Sequence, residues 1–528
     1  METTDTLLRR FEQLNDVGTA LSQERRIDHL LERILLAAKT ITRAEGGTLY
    51  RLTPDEQSLR FEIVHNDRLG IALGGASGQP ISGKFHDLPL RLPDGAPNHH
   101  MVAAYAANTG RTVNVPDAYE AEGFDFAGTR RFDESTGYRS RSFLTVPMKN
   151  HEGDLIGVLQ LLNALDPASG EVLAFTPADQ RLAESLASQA AVALTNQQLL
   201  AQLEALFESF IGLINAAIDE KSPYTGGHCQ RVPELTMMLA EAVNTTTTGP
   251  LGEVRMTEKD FHELRIAALL HDCGKVTTPV HVVDKATKLQ TIHDRIHEID
   301  VRFELVKREA ELKHWRAVAT SQSPAGGDAQ LAHFLEQCDV DRAFLRRANV
   351  GGERMSDDDM ARVRHIGQAY TWGDGNGTQR PLLSADEMDN LCVRAGTLTA
   401  AEREIINQHI STTIRMLEQL PWPKHLVRVP EYAGGHHERM DGKGYPRGLK
   451  RDEMSWQARM MGIADIFEAL TAADRPYKKA MPLSQALAIM RNFKEGGHID
   501  PDLFDVFVDK QVYRRYAQAF LAPAQIDC

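Results

Sequence analysis

Cysteine is scarce in this sequence and forms no motif. Cys229, Cys273, Cys338, Cys392 and Cys528 are scattered, odd in number and without a CxxC pair. This argues against a disulfide framework and a thiolate zinc site, and fits a reducing compartment. Positive charge is also short: 59 Lys and Arg face 73 Asp and Glu, for a formal net charge of −14. A chain this acidic offers no basic face for a nucleic-acid polymer, although a nucleotide could still be held by a few local cations. No window approaches the roughly 18 uninterrupted apolar residues of a membrane span. The opening Met1-Glu2-Thr3-Thr4-Asp5 has neither the basic nor the apolar stretch of a signal peptide. The expectation is a cytoplasmic protein without a membrane segment, and 528 residues imply two to four domains.

Periodicity divides the chain. Leu7 to Leu36 reads as one amphipathic helix, with Leu30, Leu31, Ile34 and Leu35 as its stripe. Strand-like segments follow at 48–52, 59–64, 112–116, 142–147 and 155–162, with a Gly/Pro-rich loop over 70–97 and a helix over 101–107. This is an α+β sensor-like pattern. From Pro177 to about Ile214 there is no breaker until Gly212. Leu182, Leu186, Leu199, Leu200, Leu203, Leu206, Phe207 and Phe210 recur there at helical spacing. Such a stripe suits a parallel dimer coiled coil, or one helix packed on its own domain. Beyond it lies an interrupted helical region. Leu289 to Val393 carries no catalytic signal and reads as an inserted helical arm, with a loop at 371–380. Thr399 is placed to cap the helix holding Glu402.

The chemistry concentrates in a few short stretches. An apolar helical run, Leu264 to Leu270, ends in His271-Asp272-Cys273-Gly274-Lys275. Charge at the end of such a run lies near the core and must be paired or coordinated. His228 follows a Gly-rich turn, His409 sits in an amphipathic run, His436-His437-Glu438 opens a segment ending Asp441 to Pro446, and Asp465 interrupts the apolar run 460–470. Five histidines and two aspartates so placed point to a metal cluster with more than one ion. Imidazole and carboxylate donors without thiolate suit iron, manganese, zinc or nickel. Adjacent His271 and Asp272 diverge by about a hundred degrees on a helix, so the carboxylate can bridge two ions. Two ions roughly 3.5–4 Å apart suit phosphodiester hydrolysis. Read singly, His409 could be an ordinary core histidine, and Asp441 could serve only the Asp-Gly turn.

Two resemblances sharpen this reading. The run Val115 to Tyr119, with Phe132-Asp133, Thr136 to Ser142 and Phe143 to Met148, resembles a GAF domain. The resemblance implies a small-ligand pocket, a cyclic nucleotide included, near Phe132, Asp133, Thr136 and Arg141. His271-Asp272-x-Gly274-Lys275 together with His436-His437-Glu438-x-x-Asp441-Gly442-x-Gly444-Tyr445-Pro446 resembles the HD-GYP phosphodiesterases. Pro223 to Val232, Pro279, Lys285, Arg459 and Asp474 to Tyr477 match as well.

That family implies hydrolysis of cyclic di-GMP to linear pGpG, and in some members onward to GMP. By position, His228, His271, Asp272, His409, His436, His437 and Asp465 would hold two divalent ions, Fe or Mn before Zn or Ni. Asp272 and Lys275 would be catalytic, with Lys275 on phosphate or the leaving oxygen. Tyr445, Arg475, Lys478, Gly442 and Gly444 would contact the nucleotide. Asp219 and Glu468 depart from the commoner Glu and Asp, which leaves a third ion open.

The expected architecture is multidomain. An α+β GAF sensor (7–176) leads through a connecting signalling helix (177–215) to an all-α HD-type metal-dependent phosphohydrolase domain (216–507, with the helical insertion 289–393), followed by a C-terminal tail (508–528). The expected partners are cyclic di-GMP, a small ligand in the sensor and a second copy of the chain. The alternatives are an HD phosphohydrolase for another cyclic dinucleotide and a non-catalytic adapter.

Overall fold

The computed structural model describes residues 4–24, 26–77, 79–81, 85–221, 227–320, 326–352, 354–473 and 480–528. The chain forms two compact units, Met1–Phe207 and Glu208–Cys528.

The first unit is an antiparallel sheet covered on both faces. Its strands are β1 (Ala44–Leu52), β2 (Ser58–Asn66), β3 (Ile71–Gly74), β4 (Leu88–Pro89), β5 (Val113–Val115), β6 (Phe143–Lys149), β7 (Leu155–Leu165) and β8 (Val172–Leu173), in the order β3-β2-β1-β7-β6-β5. Side chains alternate across it, as a pleated strand requires. Leu49, Leu144, Val146, Leu159 and Leu161 pack on helices α1 (Thr4–Gln23) and α2 (Ile27–Thr42), while Tyr50 and Val158 face α3 (Val102–Thr109). The single helix expected over 7–36 is therefore two. Arg26 takes an extended conformation before α2, held by its guanidinium on Asp28 (2.6 Å), and Leu14 and Ile34 reach one core from separate helices. A further helix, α4 (Ala127–Thr136), precedes β6.

Helix α5 (Pro177–Lys221) continues past Gly212, where a Cβ would meet open space. By length and mean hydropathy (1.3 over 18 residues) it is the one helix among the described residues with the composition of a membrane span, although Gln202, Glu204, Glu208 and Asn215 interrupt its apolar residues. Only 11% of that window is buried, whereas the earlier part of the helix, Leu182 to Leu194, belongs to the core of the GAF-like unit. Beyond them Leu199, Leu203, Leu206, Phe210 and Leu213 are each more than half exposed, at spacings of four and three.

The second unit is largely helical. It comprises α6 (His228–Asn244), α7 (Glu258–Leu270), α8 (Val280–Val283), α9 (Ile296–Ala319), α10 (Gly327–Val350), α11 (Asp357–Ala369), α12 (Ala385–Leu391), α13 (Ala400–Glu418), α14 (Val429–Gly434), α15 (Trp456–Thr471), α16 (Leu483–Glu495), α17 (Pro501–Asp509) and α18 (Val512–Phe520). The insertion owns a core, with Leu289, Phe303, Leu345, Val363 and Leu391 in one cluster, so it is a small subdomain rather than a bare arm. Its expected loop is a hairpin, β9 (Thr371–Gly373) with β10 (Gln379–Pro381). Asp374 closes the turn by accepting from the amides of Asn376 and Thr378. Both ends of the insertion are pinned by buried Lys285, which donates to Asn390 (2.7 Å) and Glu402 (2.7 and 2.8 Å). Thr399 caps α13 in a capping box with Glu402, as its position implied.

The segment 508–528 is not a tail. Tyr516 is buried against Phe467, and Gln525 donates to the carbonyls of Thr471 and Met481. The amphipathic spacing of Val512, Tyr516 and Ala517 makes α18 a packed helix against α6 and α17.

Candidate metal centre

Local sequence delivers each donor from a different element. The apolar face of α7 is buried through Leu264, Ile266, Ala267 and Leu270, so the chain enters the core as the helix ends at His271. Asp272 then turns into a 3-10 segment, Cys273–Thr277. That segment lies hard against α13. The Gly274 amide donates to Thr413 Oγ1 (2.9 Å), and the same hydroxyl reaches the His271 carbonyl (3.2 Å). His228 begins α6, His409 lies in the middle of α13, His436 and His437 follow α14, and Asp465 is on α15.

These seven residues converge. Asp272 is 2 % exposed and presents its two oxygens to different neighbours. Oδ2 is 3.3 Å from Nε2 of both His228 and His271, whereas Oδ1 is 3.2 Å from His409 Nε2. His228 Nε2 is also 3.2 Å from Asp465 Oδ1. The rings continue as a chain, with centroids 5.3 Å apart for His228–His271, 4.9 Å for His271–His436, 4.3 Å for His436–His437 and 5.3 Å for His437–His409. His228, His271 and Asp272 form one group with donor atoms close enough for an ion. His409, His436 and His437 form another.

The imidazoles are oriented by the same device. Nδ1 of His271 faces the Ala268 carbonyl at 2.7 Å, that of His436 faces the Ala433 carbonyl at 2.6 Å, and that of His409 faces Ile406. Each acceptor is three residues earlier on the same helical turn. A proton held on Nδ1 leaves the Nε2 lone pair aimed inward, as a metal ligand requires. His228 instead sets Nδ1 on Glu468 (2.5 Å), whose other oxygen accepts from Arg231 (2.8 Å). Glu468, a departure in the sequence, thus backs a ligand rather than facing the cluster. Asp219, the other departure, lies 3.4 Å from the Gly227 amide. We expect Glu468→Ala to weaken metal affinity by about 10–100-fold, the usual cost of losing such a backing group, with metal titration as the measurement and an unchanged affinity as the contrary result.

A divalent ion fits this donor set. Among the described residues, Asp272 Oδ1, His409 Nε2 and His436 Nε2 are buried and make no well-formed hydrogen bond, the first two lying 3.2 Å apart without one. Each would cost about 1–3 kcal/mol if left so, and cations would satisfy all three. The electrostatics agree. Burial opposes ionisation of Asp272, but Lys275 and the His271 and His228 imidazoles outweigh it and hold the carboxyl well below the usual range. Burial would lower His228, yet Asp272, Asp465 and Glu468 raise it well above the ordinary value. His436 is driven well down by burial and then by His437, and burial takes His437 to about 4. Lys275 Nζ sits 2.5 Å from Asp272 Oδ2, and its pKa stays raised because Asp272 and Asp465 outweigh its burial.

A cavity of about 380 Å³ opens beside the cluster, lined by His436, His437, Asp465, Arg439, Lys443, Gly444, Tyr445, Ile466, Ala469, Leu470 and His498. Tyr445 stacks on His437 (4.9 Å, 23°). Gly444 leaves no room for a side chain, since a Cβ would fall 2.4 Å from the Arg439 nitrogen, and Gly442 has φ of 76°. Asp441 serves the Asp-Gly turn, accepting from the Lys443 amide (3.0 Å) and pairing with Arg439 (2.9 Å). Arg475, Lys478 and the motif residues Pro223, Tyr224 and Thr225 lie outside the described residues. Sequence reasoning missed Arg439 and His498. The first sits inside the motif that was read, while the second is 53 residues beyond Tyr445.

Of the four sensor-domain candidates, two are engaged by neighbouring side chains and two are exposed. Asp133 is buried and its carboxylate is taken by Tyr119 Oη, the Ser140 amide and Ser140 Oγ, all at 2.8 Å. Phe132 and Thr136 are exposed, and Arg141 pairs with Asp117 (3.0 Å). The neighbouring interior is filled by Val102, Val115, Phe126 and Phe143.

Comparison with known proteins follows these units. Residues 26–194 match a GAF domain, and residues 225–342 and 384–503 each match an HD domain. Over 176 residues the chain is 45% identical to a 3'3'-cGAMP-specific phosphodiesterase of Vibrio cholerae, covering 33% of this chain and 31% of that one. It is 27% identical over 279 residues to a cyclic di-GMP phosphodiesterase of Pseudomonas aeruginosa (52% and 61%) and 36% identical over 132 residues to one of Thermotoga maritima (24% and 35%). The chain thus spans less than two thirds of each of these relatives.

Proposed function

We propose that this chain, a GAF domain joined to an HD domain, is a two-metal phosphodiesterase of the HD-GYP type. It hydrolyses cyclic di-GMP to linear pGpG, and onward to GMP if the same site cuts again. The observation that supports this most is Asp272, whose two buried oxygens serve two separate groups of imidazoles. His228 and His271 would hold one ion, His409, His436 and His437 the other, with Asp272 between them and Asp465 beside His228. Bound divalent ions, Fe or Mn by the donor set, would supply Lewis-acid polarisation of a phosphoryl oxygen.

The chain's own residues do the rest. Lys275 holds a positive charge against Asp272, next to the ligands. Arg439 and Lys443 bring cations to the cavity in an otherwise acidic protein, and Tyr445 fixes the face of His437. Arg475 and Lys478 belong to the same reading as phosphate and nucleotide contacts, since Arg can grip a phosphate bidentately.

A second substrate is favoured by one observation, the 45% identity to a 3'3'-cGAMP-specific enzyme. Turnover of cyclic di-GMP and 3'3'-cGAMP by metal-loaded protein, with products separated by chromatography, tests both. Cleavage of neither over hours ends the reading.

The reading includes a cytoplasmic homodimer whose GAF domain regulates turnover. The support for the dimer is the exposed seam Leu199, Leu203, Leu206, Phe210 and Leu213 on α5, which has heptad spacing. Replacing Leu206 and Phe210 together by Glu should convert a dimer into a monomer by light scattering. A wild-type monomer at micromolar concentration would remove the seam's role.

A further inference from the structure

We propose that His498 binds a nucleobase of the substrate, its ring forming part of the wall against which a purine lies. The inference rests on the phosphodiesterase reading and assigns a residue outside every motif of the sequence.

His498 opens onto the same cavity as His436, His437 and Asp465, so a group touching it is within one ligand's reach of the cluster. Its position is built rather than incidental. The loop between α16 and α17 is tied to the Gly-rich segment by backbone hydrogen bonds, Asp441 N to Gly497 O (2.9 Å) and Met440 N to His498 O (3.4 Å). The His498 amide itself donates to the Phe493 carbonyl (2.8 Å). Gly497 has φ of 66° and lies against Asp441, where a Cβ would be 3.3 Å from the Asp441 Cβ. Behind the loop Asp500 is fully buried between Arg459 (2.7 Å) and Arg451 (2.9 Å).

The ring is half-buried and supported by Phe493, with centroids 4.6 Å apart. Burial first, and then the Arg439 charge, hold its pKa below the ordinary value, so it is a neutral flat surface at neutral pH. Ile466, Ala469 and Leu470, one face of α15, give the same cavity an apolar lining. Phosphate needs only the cluster and the cations. An aromatic ring with an apolar strip beside them is what a base requires, because every base has a face to stack.

The test uses intact, metal-loaded protein. His498→Ala should raise KM for cyclic di-GMP and for 3'3'-cGAMP by about tenfold, within the range of alanine substitution at a base-stacking aromatic, and leave kcat within about twofold. His498→Phe should restore KM to near the wild-type value. Metal content and turnover of bis(4-nitrophenyl) phosphate, a phosphodiester without a purine, should not change. An unchanged KM in His498→Ala, or a His498→Phe variant no better than the alanine, overturns the contact. So does a fall in metal content, which would make His498 a prop of the wall. Where the wild-type enzyme cleaves either dinucleotide, such results, read on the one it cleaves, count against His498 alone. Where it cleaves neither, the phosphodiesterase reading falls and the contact with it.

Discussion

Asp272→Asn should leave a protein that retains at most one divalent ion and whose turnover of cyclic dinucleotide is lower by at least about a thousandfold, roughly 4 kcal/mol of transition-state stabilisation. The substitution keeps shape and volume, so the result reports chemistry rather than packing. An amide offers one acceptor oxygen and one donor nitrogen. Whichever way it turns, either the His228 and His271 side or the His409 side meets an N–H, which cannot ligate a cation. Both carboxylate oxygens lie 3.2–3.3 Å from imidazole nitrogens, so neither group can be served from elsewhere without movement. Lys275 also loses the nearer of its two carboxylates, 2.5 Å away, and keeps only Asp465 against the cost of its burial. A moderate fall in Tm should therefore accompany the loss. Elemental analysis and product chromatography on one preparation decide the matter. Two ions per chain with turnover within tenfold of wild type would contradict the bridging role.

Much of the cluster was legible in the sequence because several donors sit at an interruption of a regular pattern: charge at the end of the Leu264–Leu270 run, His228 after a Gly-rich turn, Asp465 inside an apolar helix; His409, in an ordinary amphipathic run, carried no such mark. Such placements are costly unless coordinated, so they stand out without knowledge of the fold. What orients the donors was not legible. The carbonyls of Ala268, Ala433 and Ile406 carry no side-chain signature, and Glu468 looked like a departure until its oxygen was seen on His228 Nδ1.

The same division runs through the fold. Strands β1, β2, β6 and β7 were visible because both faces of the sheet are covered and their apolar residues recur on each. The break between α1 and α2 was not, since no Gly or Pro marks it and the extended Arg26 is held by a local pair with Asp28 that no sequence pattern announces. The GAF-like motif shows position without partners. Asp133 keeps its place in the pattern while its carboxylate is fully engaged by Tyr119 and Ser140. His498 lay beyond reach for a simpler reason: its role depends on a backbone pairing between 440–441 and 497–498 that no local pattern announces.

Gly274→Ala should be the most damaging single methyl in the second unit. The backbone at Gly274 is not in the left-handed region, so strain is not the cause. Space is. An added Cβ would lie 2.0 Å from the His409 carbonyl oxygen and 2.7 Å from the Thr413 nitrogen. These are backbone atoms of α13, so no side chain can rotate aside, and the 3-10 segment and α13 must part by about 1 Å. Overpacking of this kind costs about 3 kcal/mol, or about 6 °C in Tm for a unit of this size. The movement is along the line that matters, because Asp272 is two residues before Gly274 and faces the Nε2 of His409. A misplacement of about 1 Å can lower a rate a hundredfold, so turnover should fall by at least that much and the ion of the His409, His436 and His437 group should be lost first. Gly212→Ala is the control. It adds the same methyl to a helix interior with nothing nearby, and should leave turnover unchanged while raising stability by up to about 1 kcal/mol. Calorimetry, metal analysis and turnover on the two variants together separate a clash at the site from a general effect of the added methyl. Wild-type metal content in Gly274→Ala would mean that the contact between the His271–Asp272 turn and α13 does not position the site.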